Sequence, residues 1–298
     1  MTQPLLIHHA ANRGHDHPPN SLSSLRACLK AGARAVEVDI TPLADGDFAL
    51  LHDEQLDRAT DGTGNVSAFT AVQVRQAHYA HRGHPTNEPV GLLSLAVSLI
   101  RDYPHLQELQ LDLKPHVPLT EAVLVNLLRV IEPVKRQIRV TSVADWAVRR
   151  LRALDNKLAL GFDPLLYLDL ETGKKRDGTI PPFRVGAYGY CDDHPLSARR
   201  WGPPSDYLAA RAEALMAQVP DDLIWYIRAP LLARALDDGF DWIAYLHAQG
   251  IQVDAWTLDA DRPGQVALAH RLVAAGIDRI TTNDAPRLAK AVGGALEF

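Results

Sequence analysis

Short apolar runs recur along the chain, and stretches with helical spacing separate most of them. LLIHH (5–9), RAVEVDI (34–40), FALLH (48–52), ELQLDLK (108–114), QIRVTS (137–142), LALGF (158–162), LIWYI (223–227), IQVDAWTL (251–258) and DRITTN (278–283) read as strands. SLSSLRACLKAGA (21–33) reads as a helix, with Leu22, Leu25 and Leu29 on one face and Gly32 as its stop. Further helical patterns cover 119–132, 144–154, 206–218, 229–237, 240–249 and 263–275. Repeated βα units of this kind imply a parallel sheet covered by helices. With about eight units, the expected α/β fold is a (β/α)8 barrel formed as one domain over 1–298. An open doubly wound sheet is the competing arrangement.

Two segments break the rhythm. Residues 53–92 are polar and rich in Gly and His, and residues 163–205 carry Gly, Pro, Tyr and Arg with little periodicity. Loops this long are uncommon unless they serve a purpose. On a barrel the strand-to-helix loops build the active-site face, so both are candidates to cover a substrate. The bland alternative is a plain surface excursion.

Composition narrows the partners. Hydrophobic residues make up 47% and charged residues 22%, an ordinary globular balance. The formal net charge is −5 and no basic run stands out, which argues against nucleic acid. Cys28 and Cys191 are too few for a disulfide framework, and Cys28 reads as a small buried residue. No apolar stretch approaches the roughly 18 residues of a membrane span, and no secretory leader pattern opens the chain. The expectation is a cytoplasmic protein without stable membrane insertion. Its oligomeric state is not written in the sequence.

The chemistry begins at AVEVDI (35–40), where a glutamate and an aspartate stand one residue apart in an apolar run. Buried carboxylates are costly unless something neutralises them. The candidates are an arginine, a lysine or a metal ion. Strand alternation puts Glu37 and Asp39 on one side; Leu5, Ile7 and His9 share a side, as do Leu50 and His52, and Glu108, Gln110, Asp112 and Lys114. Each strand thus delivers polar residues near its C-terminal end on one face, as a barrel mouth requires. Glu37, Asp39 and Asp112 make a three-oxygen cluster suited to Mg²⁺ or Ca²⁺. His9 and His52 flank it as candidate base and acid, and Lys114 adds a positive charge for an anion. The simpler alternative pairs the carboxylates with Lys114.

These residues resemble a known family. HDEQLDRATDGTG (52–64), with EVD ahead of it at 37–39, resembles the glycerophosphodiester phosphodiesterases, which carry an ExD pair, a His-Asp and a Leu-Asp-Arg-Thr-Thr-Asp-Gly-Thr-Gly stretch. LDLKP (111–115) is similar to the family's acidic-x-Lys strand, and TSVAD (141–145) sits at its Ser-Phe pair. AWTLD (255–259) is similar to its Trp-Thr strand, and ITTNDAP (280–286) to its closing Thr-Asp-x-Pro. The matches span nearly the whole chain in the family's order, and 52–64 is the most specific.

The resemblance implies a TIM barrel of the phospholipase C-like phosphodiesterase type, a divalent metal and two acid–base histidines. Carried over, the metal ligands are Glu37, Asp39 and Asp112, the second histidine is His52, and Lys114 contacts phosphate. Arg58, Thr60, Asp61 and Gly62 match the loop that follows and shape it. The N-terminal motif departs from the family's His-Arg-Gly and Pro-Glu-Asn-Thr. HHAANRGHDHPPNSL (8–22) has Ala10 where arginine is usual and Pro19 in place of glutamate. His8 and His9 both stand as the first histidine, and alternation favours His9. Arg13 is the candidate to replace the lost phosphate contact. Asp112 is a shorter arm than the family's glutamate. The spacing His9-x-x-Asn12 also resembles phosphodiesterases of the phospholipase D toxin type.

The implied reaction is hydrolysis of a glycerophosphodiester to an alcohol and glycerol 3-phosphate, which places the chain in glycerol and lipid metabolism. His9 is the expected base and His52 the acid; the attacker is water or the glycerol 2-hydroxyl. Trp201, Tyr188, Tyr190, Trp225 and Trp256 are candidates for the wall that receives the alcohol, with core packing as the alternative. The rival functions are a phosphodiesterase acting on lysophospholipid or sphingolipid, and a barrel that binds diesters without turnover.

Overall fold

The computed structural model describes residues 3–14, 16–171, 173 and 181–293. Eight parallel strands form the central sheet: β1 (Leu5–His8), β2 (Ala35–Pro42), β3 (Glu108–Leu113), β4 (Ile138–Ser142), β5 (Ala159–Phe162), β6 (Ile224–Arg228), β7 (Val253–Trp256) and β8 (Arg279–Thr282). Each pairs with its neighbours in chain order, and β1 pairs with both β2 and β8, so the sheet closes into a (β/α)8 barrel. A helix follows each strand: α1 (Leu22–Lys30), α2 (Leu93–Ile100), α3 (Glu121–Ile131), α4 (Asp145–Leu154), α5 (Pro204–Met216), α6 (Ala229–Asp237), α7 (Gln265–Ala274) and α8 (Ala285–Ala291). A short extra helix, Trp242–His247, lies between α6 and β7.

Periodicity explains the layers. Outward strand residues such as Val36, Val38, Ile40, Leu109, Leu111 and Leu113 are fully buried beneath apolar helix faces, for example Leu124, Leu127 and Ile131 of α3. Side chains cap helix starts: Ser21 accepts from the Ser24 amide and Asp284 from that of Arg287. Inward positions include the polar residues Glu37, Asp39, Gln110, Asp112 and Thr141. Gly161 has no side chain because the ring of Tyr226 lies across the barrel where its β-carbon would be.

Three expectations change. FALLH supplies no barrel strand: Phe48–Ala49 turns back antiparallel against Thr41 and Pro42 of β2, since so short a connection cannot return a parallel strand. Helices α2 and α8 escape the periodic reading, α2 because LSLAVSLI is apolar on nearly every side and α8 because it is short. Residues 53–92 are not a bare loop. His78–His81 and His84–Pro89 form a hairpin, turned at Arg82 and Gly83, both with positive φ as a two-residue turn demands. Beneath it Leu51, Leu56, Val66, Val74, Tyr79 and Val90 make a second core.

The described part of 163–205 is also packed. Asp169–Leu170 pairs antiparallel with Tyr190–Cys191, and the Tyr188 and Tyr207 rings stack 4.4 Å apart. Phe183, Val185 and Trp201 are its exposed apolar side chains. Residues 172 and 174–180 of that segment lie outside the described residues.

Candidate active site

A pocket of about 730 Å³, partly open to solvent, sits at the C-terminal end of the strands. His9, Glu37, Asp39, His52, Asp112, Lys114 and Trp256 all line it. Arg13, the candidate phosphate contact, does not; its charge bears on His8 and Cys28 instead. His8 is buried and its Nδ1 lies 3.0 Å from the Asn12 carbonyl, while His9 begins the turn after β1 and faces the pocket. Trp256 is the one aromatic wall candidate that reaches the pocket. Trp225, Tyr188 and Tyr190 are buried in packing, and Trp201 lies on the surface.

Register explains the carboxylate cluster. Asp39 of β2 stands beside Asp112 of β3, and Glu37 beside Gln110. Glu37, Asp39 and Asp112 each offer an oxygen within 4.8 Å of the others. Lys114 donates to Asp112 Oδ2 at 2.5 Å and lies 3.5 Å from Asp39 Oδ1. One ammonium thus serves two of three carboxylates, and Glu37 is left with the Ala10 amide at 2.6 Å. Burial, with Asp39 and Asp112 nearby, pushes the Glu37 carboxyl well above its usual range. Burial would raise Asp39 too, but Lys114, with His52 and His9 beyond it, holds it below. A lysine therefore accounts for part of the cluster only. The three oxygens and their surplus negative charge fit a hard divalent cation, and Lys114 shares the same oxygens.

The loop after β1 fixes these carboxylates from above. Asn20 donates to Asp39 Oδ2 at 2.8 Å and accepts from the Asp39 amide at 2.9 Å. Ala10, Ala11 and Asn20 all take positive φ (50°, 53° and 61°), a conformation unfavourable for alanine, and this bends the loop onto β2. The donor that follows His9 is thus the Ala10 backbone rather than a side chain.

The histidines have different settings. His9 Nδ1 lies 2.9 Å from Asn283 Oδ1, and Asn283 Nδ2 donates to both oxygens of the buried Asp259, at 3.1 and 2.9 Å. With its amide so held, Asn283 presents an acceptor, which places the proton of the neutral imidazole on Nδ1 and leaves Nε2 with the lone pair. His52 is 61% exposed, and its Nδ1 is 3.4 Å from Asp53 Oδ1.

Sequence reasoning passed over Asn20, Asp163, Asp259 and Asn283. Asp163 was detectable, because it continues the inward parity of Ala159 and Gly161 past the end of β5, and it lines the pocket. Burial pushes its carboxyl well above the ordinary range, with Asp112 adding to that rise. Asn283 is 274 residues from His9, and nothing local announces their contact.

The fold and the site agree with known proteins. The model of the glycerophosphoryl diester phosphodiesterase family matches residues 12–286. Glycerophosphodiester phosphodiesterase 1 of Mus musculus is 27% identical over 259 residues, 84% of this chain and 71% of that protein. The Homo sapiens protein of the same name is 26% identical over 260 residues, with the same coverage. Among solved structures, an Oleispira antarctica phosphodiesterase in complex with the product sn-glycerol-3-phosphate superposes with a TM-score of 0.66 at 22% identity, covering 97% of each chain. A glycerophosphoryl diester phosphodiesterase from Parabacteroides distasonis gives 0.60 at 18% identity, covering 97% of this chain and 86% of that one. The protein is an enzyme that hydrolyses phosphoric diesters, and the chain belongs to the glycerophosphoryl diester phosphodiesterase family.

Proposed function

We propose that the enzyme hydrolyses glycerophosphodiesters to an alcohol and glycerol 3-phosphate, with a divalent cation at Glu37, Asp39 and Asp112. The observation that carries this reading is three converging carboxylates against one lysine, in a pocket that also holds two histidines. The glycerol 3-phosphate bound to the Oleispira antarctica protein supports the product assignment. When bound, the cation would act as a Lewis acid toward a non-bridging phosphate oxygen.

The chain's own residues supply the rest. Lys114 stands among the same oxygens and steadies the charge that develops on the phosphoryl group. His9 is the base, since the amide of Asn283 leaves Nε2 free to take the proton of the attacking oxygen. His52 is the acid: solvent reaches it to restore its proton, and the Asp53 carboxylate stands beside the protonated ring. Trp256 offers an apolar wall to the departing alcohol. Arg13 is not placed to meet phosphate, and Lys114 takes that role alone.

A coupled assay for glycerol 3-phosphate, run on glycerophosphocholine and glycerophosphoethanolamine with Mg²⁺ or Ca²⁺, tests the reading. Release should stop with EDTA and in His52→Ala. Release that continues with EDTA would remove the metal from the mechanism. Turnover confined to lysophospholipids would move the substrate class, and binding without turnover would make the barrel a diester-binding protein.

A further inference from the structure

The ends of β7, β8 and β1 are neighbours in the ring, and a continuous polar chain crosses them. Asp259 lies three positions past the end of β7, Asn283 directly after β8, and His9 directly after β1. The Leu258 amide donates to the Thr281 carbonyl at 3.1 Å, which holds the loop after β7 against β8. Asp259 is buried, and both of its oxygens are occupied. Oδ1 accepts from the Asn283 backbone amide at 2.9 Å and from Asn283 Nδ2 at 3.1 Å. Oδ2 accepts from the same Nδ2 at 2.9 Å and stands 3.2 Å from Arg262 Nε. The other end of that side chain, Asn283 Oδ1, lies 2.9 Å from His9 Nδ1 and accepts from Asn12 Nδ2 at 3.4 Å.

A side-chain amide fits the same space either way round, so its partners decide its orientation. A carboxylate can only accept. Asp259 therefore draws the NH2 end of Asn283 toward β7 and turns the carbonyl oxygen to His9, which puts the ring proton on Nδ1. With a donor in place of the carboxylate oxygen, the amide would turn over and offer its NH2 to Nδ1. The ring proton would then sit on Nε2, the nitrogen whose lone pair a base needs. The inserted amide also keeps the carboxylate from direct contact with the ring. A carboxylate bonded straight to the imidazole would favour the protonated form, which is no base.

Resting on the reading of His9 as base, we propose that Asp259 is a positioning residue that sets the tautomer of His9 through the side chain of Asn283. Nitrogen NMR of the isotope-labelled imidazoles reads the tautomer directly, and His9→Gln identifies the signal. In the unaltered enzyme, with the ring neutral, His9 should carry its proton on Nδ1. In Asp259→Asn the proton should move to Nε2, and kcat for glycerophosphocholine should fall about a hundredfold with KM changed less than about threefold. Asp259→Asn combined with Asn283→Asp keeps the total charge and again gives His9 an acceptor. That double variant should recover the Nδ1–H signal and bring kcat back to within about tenfold of the unaltered enzyme, which a merely structural role would not do. An Nε2–H ring in the unaltered enzyme, an unchanged ring in Asp259→Asn, or a double variant no faster than the single one would each overturn the proposal. Full turnover by His9→Gln would bring down the reading of His9 as base, a separate result from any change in the ring signals.

Discussion

Toward the N-terminal end of the strands, Glu108 and Asp254 face Arg139 and Arg279. Toward the C-terminal end, Glu37, Asp39 and Asp112 face a single lysine. In the lower cluster Arg279 grips Glu108 with two nitrogens, at 2.5 and 3.3 Å, and Arg139 adds a bond at 2.8 Å. Burial alone would raise the Glu108 carboxyl, but the two guanidiniums hold it below its usual range. Acids and bases match in number there, and Asp254 Oδ2 stands 3.8 Å from Arg279 Nε. The upper cluster has two more negative charges than positive ones. Both are buried polar groups inside one barrel, so burial alone does not mark a functional site; an unbalanced set of charges at the open end does.

Glu37→Gln should separate the clusters most sharply. Turnover is expected to fall by about a thousandfold or more, with weaker Mg²⁺ and Ca²⁺ binding by calorimetry. The cation-free protein should be no less stable, since glutamine keeps the Ala10 hydrogen bond and relieves repulsion from Asp39 and Asp112. A large loss of cation-free stability would place the upper cluster in the same class as the lower.

Arg279→Met attacks the lower cluster. It leaves Glu108 with one arginine and should cost about 3–5 kcal/mol by urea denaturation. The folded fraction should retain its kcat. A comparable fall in kcat would join the two clusters into one functional unit.

Asp254 adds a pH test. Burial raises its carboxyl to about 6, against the opposing pull of Arg279. Its folded value lies above the unfolded value of about 4, so the folded chain holds the extra proton between them. Stability from this group is therefore greatest below pH 4 and is lost as pH rises through 6. Asp254→Asn removes that dependence. Relative to the unaltered protein, the variant should gain about 3 kcal/mol between pH 4 and pH 8. A flat difference would show that Arg279 fully compensates the charge.

The smallest effect concerns orientation. Asn283→Ala should lower kcat about tenfold with KM little changed, because His9 loses the partner that fixes its proton on Nδ1. A change confined to KM would instead make Asn283 a substrate contact.

The barrel and its mouth were legible because they depend on alternation. AVEVDI, LLIHH and ELQLDLK each encode, within a few residues, which side chains face inward, and the 52–64 motif located His52. What escaped was set by contacts distant in sequence or by packing. Nothing near Asn283 or Asp259 points to His9. The excursion over 53–92 looked structureless because its hairpin residues His78, His84, Thr86, Asn87 and Glu88 are polar, and its small core is assembled from residues scattered between Leu43 and Leu92. FALLH has strand composition, yet its place directly after β2 leaves room only for an antiparallel return.

That excursion has one further consequence. The Tyr79 hydroxyl donates toward the carbonyls of Leu50, at 2.8 Å, and Asn20, at 3.1 Å, and accepts from the Gly91 amide at 3.0 Å. Asn20 is the residue that clasps Asp39, and Leu50 lies two positions before His52. One phenol thus bolts together two loops that arrive from different strands. Surface segments are usually where a lineage varies its length, but here that freedom is confined to the tip at Arg82 and Gly83. Extra residues there should leave the bolt in place, whereas trimming the hairpin to its base would unfasten both loops at once.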